Sequence, residues 1–250
     1  MNLAVEVNNL QVAYERNVVL DNVSWQVKRG TLAGIIGPNG GGKSTFLKSL
    51  LGMVPITKGT VRVLNQSSRL ARPQVAYLPQ REEVDWNFPI TCFDVVLQGR
   101  LVHLKWWQKP STADYEKARD SLALVGMVDY ASRAIGALSG GQKQRVFIAR
   151  ALAQEAKLII MDEPATGLDA VAQHELLDLF QQLKKEGHTV IVTTHDLNCI
   201  AEGFDTVLGL NRQVILSGIP SEVMNADILT ELFARHFPVI KSTGEVTVHD

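Results

Sequence analysis

Residues 37–45 read Gly37-Pro38-Asn39-Gly40-Gly41-Gly42-Lys43-Ser44-Thr45. These residue types at this spacing suit one chemistry, the capture of a phosphate chain. The glycines let successive backbone N–H groups turn inward and cradle phosphate oxygens. Lys43 can reach the β- and γ-phosphates, and the Ser44 hydroxyl can bind Mg²⁺. The motif needs a buried strand before it and a helix after it. The apolar run Leu32–Ile36 supplies the strand. A helix starting near Lys43 aims its positive dipole end at the same anion. The stretch implies binding of a nucleoside triphosphate.

Two further stretches carry chemistry. Lys157–Glu163 reads Lys-Leu-Ile-Ile-Met-Asp-Glu, an apolar strand ending in two acids. Such a strand brings Asp162 beside the phosphate loop, where it can hold the Mg²⁺ shell. Glu163 can then polarise a water toward the γ-phosphate as a general base. Taken alone, the same strand is also a buried strand with two solvated acids. Residues 138–142 read Leu138-Ser139-Gly140-Gly141-Gln142 before a helical run, Lys143–Gln154. A serine and two glycines opening a helix form a second anion site from N–H groups and dipole. The plainer reading of that stretch is an ordinary helix cap.

The elements that must position these groups follow from pattern. Val5–Val7, Val12–Tyr14, Val23–Val27 and Leu32–Ile36 read as short strands. A helix is expected over 43–53, and strands over Thr60–Leu64 and Val75–Leu78. From about 91 to 155 apolar residues recur at helical spacing. Leu158–Met161 and Thr189–Thr193 read as buried strands around an amphipathic helix, Ala170–Lys185. Thr206–Leu210 and Val214–Ser217 read as a late hairpin. The order predicts an α/β core with a mostly parallel sheet and its ligand at the carboxyl ends of the strands. One domain over 1–250 is expected, with a helical sub-domain at about 90–155 and a tail at about 219–250.

Bulk properties narrow the class. The 250 residues are ample for a buried core, and the net charge of −1 leaves no electrostatic footprint for nucleic acid. The start, Met1–Val7, has neither a basic nor an apolar run, so a signal peptide is not expected. No apolar run approaches the ~18 residues that span a bilayer. Cys92 and Cys199 lie far apart and suggest neither a disulfide framework nor a zinc site.

The phosphate loop, Leu-Ser-Gly-Gly-Gln and Leu-Ile-Ile-Met-Asp-Glu, in this order, resemble the nucleotide-binding subunit of ATP-binding cassette (ABC) transporters. The likeness implies a P-loop NTPase core of ABC type: a mixed, mostly parallel sheet with antiparallel N-terminal strands, plus a helical sub-domain. It implies ATP and Mg²⁺ as cofactors, and a homodimer that sandwiches two ATP molecules. Ser139, Gly140, Gly141 and Gln142 would then meet the partner's ATP. By the same likeness Gln80 senses Mg²⁺ and the γ-phosphate. Asp169, in Gly167-Leu168-Asp169, crosses the dimer interface, and His195 bonds the γ-phosphate. Tyr14 stacks on adenine. Gly41 departs from the family, which more often has alanine or serine there; glycine is expected to be harmless. Integral membrane permease subunits are implied as partners, and indirectly a metal-binding extracytoplasmic protein. The chain would lie at the cytoplasmic face of the plasma membrane, held through the permease.

Residues 80–103 contain Val84-Asp85-Trp86-Asn87-Phe88-Pro89 and Asp94-Val95-Val96-Leu97-Gln98-Gly99-Arg100. They resemble the branch serving manganese, zinc and iron uptake, manganese subunits above all. In the family this region faces the permease; Trp86 and Phe88 either dock there or pack the helices. Trp106 and Trp107, beside Lys105 and Lys109, read as a docking edge or an amphipathic loop. Two other readings compete with the transporter motor. A nucleic-acid- or ribosome-associated cassette is disfavoured by the single cassette and the lack of room for a coiled-coil insertion. A scaffold without turnover is disfavoured by Glu163 and His195. An importer of another solute stays open.

Overall fold

The computed structural model describes residues 2–15, 17–80 and 88–233. Strands β3 (Leu32–Ile36), β7 (Leu158–Asp162) and β8 (Thr189–Thr193) are buried at every position. Runs of that kind need both faces of their sheet covered. They lie in a six-stranded sheet of order β10-β9-β3-β8-β7-β6, completed by β6 (Val75–Leu78), β9 (Thr206–Asn211) and β10 (Gln213–Gly218). Its neighbours run parallel except the β9–β10 hairpin.

A second, antiparallel sheet has the order β2-β1-β4-β5, from β1 (Leu3–Tyr14), β2 (Asn17–Lys28), β4 (Lys58–Val63) and β5 (Gln66–Ser67). Helix α1 (Lys43–Leu50) lies between the sheets. The period of two shows in the cores. Ala33, Ile35, Leu158 and Ile160 share one buried cluster with α1 and the antiparallel sheet. Leu32, Ile36, Ile159 and Met161 face the other cluster, under the remaining helices.

The strand expected at Val23–Val27 extends back to Asn17 as β2, and other expected limits change as well. Val5–Val7 and Val12–Tyr14 are one strand, because β1 absorbs extra residues as bulges between Val7 and Leu10 and between Leu10 and Val12. Asn9 takes the left-handed conformation there (φ +50), as asparagine tolerates, and bonds Asn22 at 2.8 Å. Helix α1 stops at Leu50, short of residue 53, because the chain turns at Gly52 (φ +62).

The helical region resolves into α3 (Cys92–Leu97), a 3₁₀ segment (Gln98–His103), α4 (Thr112–Leu124) and α5 (Gly140–Ala153), after a short α2 (Ser68–Ala71). The apolar faces of α3, α4 and α5 join the cluster under the six-stranded sheet. Helices α6 (Ala170–Lys185) and α7 (Leu197–Gly203) follow β7 and β8. Two short helices, α8 (Pro220–Val223) and α9 (Ala226–Phe233), close the described chain.

Candidate active site

The phosphate loop runs from the end of β3 into α1. Lys43 is only 7 % exposed, and its Nζ donates to the carbonyls of Gly37 (2.9 Å) and Pro38 (3.2 Å). Burial pulls its pKa below the ordinary lysine value; Glu163 and Asp162 oppose that pull. Gly42 has φ +95, and a Cβ there would lie 2.6 Å from Leu20 Cδ2. Only glycine meets both conditions. At Gly41 a Cβ would lie 2.9 Å from the Leu210 carbonyl and 3.0 Å from the Pro38 carbonyl. Glycine at this position therefore fits a close approach of backbone, and alanine would require a shift.

Strand β7 delivers the acids. Asp162 is buried at its end and accepts a hydrogen bond from Thr193 Oγ1 at 2.6 Å. The same hydroxyl accepts from the Glu163 backbone N–H at 2.8 Å. Glu163 itself has φ +48, a conformation that costs a non-glycine residue on the order of 1–3 kcal/mol. The turn carries its carboxylate back over the loop, 3.8 Å from Lys43 Nζ. His195 Nδ1 is 3.9 Å from the other carboxylate oxygen, and Thr166 Oγ1 donates to that oxygen at 3.2 Å.

A cleft of about 520 Å³ brings together the loop, Lys43 and Glu163; Asp162 and His195 are not among its lining residues. Pro38, Asn39, Gly40, Gly42, Lys43, Ser44, Thr45, Gln80 and Glu163 line it, with Val19 and Thr166. Gln80 arrives just beyond β6. Tyr14 is not among the lining residues; it ends β1, 44 % exposed.

Ser139, Gly140, Gly141, Gln142 and Asp169 line a different cleft of about 320 Å³, which shares no lining residue with the first. Ser139 caps α5 in a reciprocal box. The Gln142 N–H donates to Ser139 Oγ (3.4 Å) and the Ser139 N–H to Gln142 Oε1 (3.0 Å). The helix therefore starts at Gly140, three residues before the expected run, and its first residues, Gly140 and Gly141, line the cleft. Asp169 caps α6 through the Ala172 N–H at 2.8 Å. Arg145 pairs with Glu175 at 2.9 Å along the cleft wall.

Sequence reasoning assigned no role to Thr193, Thr166 or Val19. Threonines in strand ends and turns carry no motif of their own; their parts come from contacts between distant segments. Trp86 lies outside the described residues, and Phe88 is exposed.

The parallel sheet, the loop at the end of β3 and the paired acids at the end of β7 define a P-loop nucleoside triphosphatase. Residues 20–166 match the sequence profile of the ABC transporter family. The chain is 43 % identical over 248 residues to the manganese transport system ATP-binding protein MntB of Halalkalibacterium halodurans, covering 99 % of each. It is 46 % identical over 215 residues to the zinc transport system ATP-binding protein TroB of Treponema pallidum, covering 86 % of this chain and 81 % of TroB. A solved ABC transporter assigned to the metal-chelate type, in an inward-facing conformation, aligns with TM-score 0.85 and 33 % identity, over 94 % of this chain and 90 % of that one. MJ1267, an ATP-binding cassette solved in its ADP conformation, aligns with TM-score 0.79 and 27 % identity, over 93 % and 95 %. The chain belongs to the ABC transporter family and is an ATP-hydrolysing, ATP-binding subunit of a transport system. No helix among the described residues is long and apolar enough to cross a membrane.

Proposed function

We propose that this subunit drives an importer of manganese or a related divalent transition metal. The observation that carries the reading is full-length likeness to a manganese transport ATP-binding protein. Similarity to a zinc counterpart keeps zinc as the second substrate. The chain itself would work on the cytoplasmic face of the membrane, bound to permease subunits, with an extracytoplasmic binding protein delivering the ion.

The site's geometry supports specific roles. Lys43 and the loop amides would hold the β- and γ-phosphates. Glu163 lies where it can orient or deprotonate a water, with His195 and Thr166 steering its carboxylate. Ser44, Asp162 and Gln80 present only hard oxygen donors, which suits Mg²⁺ carried in with the phosphates. When bound, that ion would neutralise phosphate charge. The cleft at Ser139 has the N–H groups of an anion site, and its lining includes neither Lys43 nor Glu163. We assign it to the γ-phosphate on a second copy of the chain, so that two copies close around two ATP molecules. Loss of the γ-phosphate would then release the two copies and drive the permease. Tyr14, at its strand end beside the first cleft's sheet, would reach adenine from the rim.

Radiometal uptake in a deletion strain tests the substrate. Reduced manganese uptake, restored by the native chain and not by Lys43→Ala, is the expected result. Unchanged uptake of manganese, zinc and iron, with a defect for an organic solute, overturns it.

A further inference from the structure

The least economical surface of the described chain lies far from both clefts in sequence. Trp106 is 92 % exposed and Trp107 is 63 % exposed, with Leu101 and Val102 also exposed nearby. The indoles meet edge to face, with centroids 5.4 Å apart, and Lys105 Nζ is 5.4 Å from the Trp107 ring centroid. Between Asp94 and Asp114 the sequence contains no acidic residue, while Lys105 and Lys109 flank the tryptophans. Asp114 is engaged by Ser111 and Arg100, so it does not neutralise the tip.

The loop is anchored at both ends. On one side Arg100 bonds Asp114 (2.9 Å), the Ala153 carbonyl (2.7 Å) and Glu155 (2.9 Å), and His103 meets the Gln154 carbonyl at 3.0 Å. On the other side Ser111 and Asp114 form the capping box of α4. The Gln108 N–H closes a turn onto the Lys105 carbonyl at 2.8 Å. Such anchoring presents the aromatic tip in a set shape and lowers the ordering entropy of binding.

We propose that Leu101–Lys109 contacts an anionic bilayer surface, with Trp106 and Trp107 among the lipid headgroups and Lys105 and Lys109 meeting their charge. Tryptophan is the side chain best matched to that depth, with an apolar body and one N–H donor. Basic residues complement the negative cytoplasmic leaflet. So small an anchor binds weakly alone; attachment to the permease holds it at high effective concentration beside the bilayer. The proposal rests on the membrane-face placement proposed above, not on which solute is moved.

The full-length chain is sedimented at low salt with vesicles of phosphatidylcholine, or of phosphatidylcholine mixed with phosphatidylglycerol. Binding should favour the anionic vesicles by roughly 25-fold, about fivefold per lysine. Lys105→Gln/Lys109→Gln should lose that preference, and Trp106→Ala/Trp107→Ala should lose most binding to either vesicle. A second arm uses the intact permease complex in nanodiscs with a photoreactive group at position 106. Crosslinks to lipid are expected. Absence of binding to anionic vesicles, equal binding by native and variant chains, or crosslinks to the permease instead of lipid would each overturn the proposal. A metal-uptake defect would persist in all three cases, so this failure is distinct from failure of the substrate reading.

Discussion

The two clefts are built from opposite resources. The first gathers groups from four separated segments: Val19 of β2, the loop after β3, Gln80 beyond β6, and Glu163 with Thr166 beyond β7. It holds a buried cation whose charge is balanced by neighbouring carboxylates. The second is made of two helix starts, where Ser139 and Asp169 cap α5 and α6. Its one lining cation, Arg145, is already paired with Glu175. The first can position phosphate, cation and base; the second offers N–H groups and a dipole. In the proposed dimer the first cleft would be a nearly whole catalytic half, and the second a recognition half for the partner's nucleotide.

The sharpest way to break this division is Glu163→Gln. A general base contributes ~10²–10⁴-fold, so hydrolysis should slow by roughly 3–5 kcal/mol of barrier. ATP binding should survive, because the Lys43 bonds to Gly37 and Pro38 are untouched. The trapped nucleotide should hold two copies together, seen by light scattering with and without ATP. Wild-type turnover in this variant would remove Glu163 from the chemistry.

Ser139→Arg probes the second cleft alone. Added to Glu163→Gln, it should abolish the ATP-dependent dimer while each monomer still binds nucleotide in titration. A dimer that persists would show that this cleft is only a capped helix start.

The smallest effect is on the helical bundle that carries the second cleft. Bonds from the Ser111 backbone and hydroxyl, and from Arg100, hold the Asp114 carboxyl at about 2, below its ordinary 3.8. A depressed carboxylate pKa adds stability that is present above the ordinary value and fades as pH falls toward the folded one. The gap in melting temperature between the native chain and Asp114→Asn should therefore be full above about pH 4 and narrow toward pH 2. A gap that stays constant across that window would show that the pair contributes through packing alone.

Legibility in the sequence followed locality. Val75–Leu78, Ala170–Lys185 and Thr189–Thr193 have the same limits in pattern and structure, since each carries its own period and Asp169 marks a start. The catalytic-cleft motifs were legible for the same reason: loop, lysine and acids are contiguous or strand-ending. Bulged β1 was not, because its register is decided by β2 and β4 rather than by its own alternation. Thr193 and Thr166 were invisible as functional groups, since nothing in a Thr-Thr pair or a turn threonine announces the carboxylate it will meet across the fold. Ser139 was legible as a helix cap, while its contact with nucleotide, like that of Asp169, is a proposal. The structure displays both caps directly.

One hydroxyl links the sheet to the chemistry in a further way. Asp162 and Thr193 are direct partners in the β7–β8 ladder, and Thr193 Oγ1 holds both the Asp162 carboxylate and the Glu163 backbone. The Lys43 hydrogen bonds to backbone, by contrast, stay within its own loop, with the Glu163 carboxylate farther off at 3.8 Å. Loss of that hydroxyl, as in Thr193→Val, would thus loosen both acids at once while leaving the Lys43 bonds to its own loop in place. Hydrolysis in that variant should fall further than nucleotide affinity, making turnover the more sensitive reporter of this join.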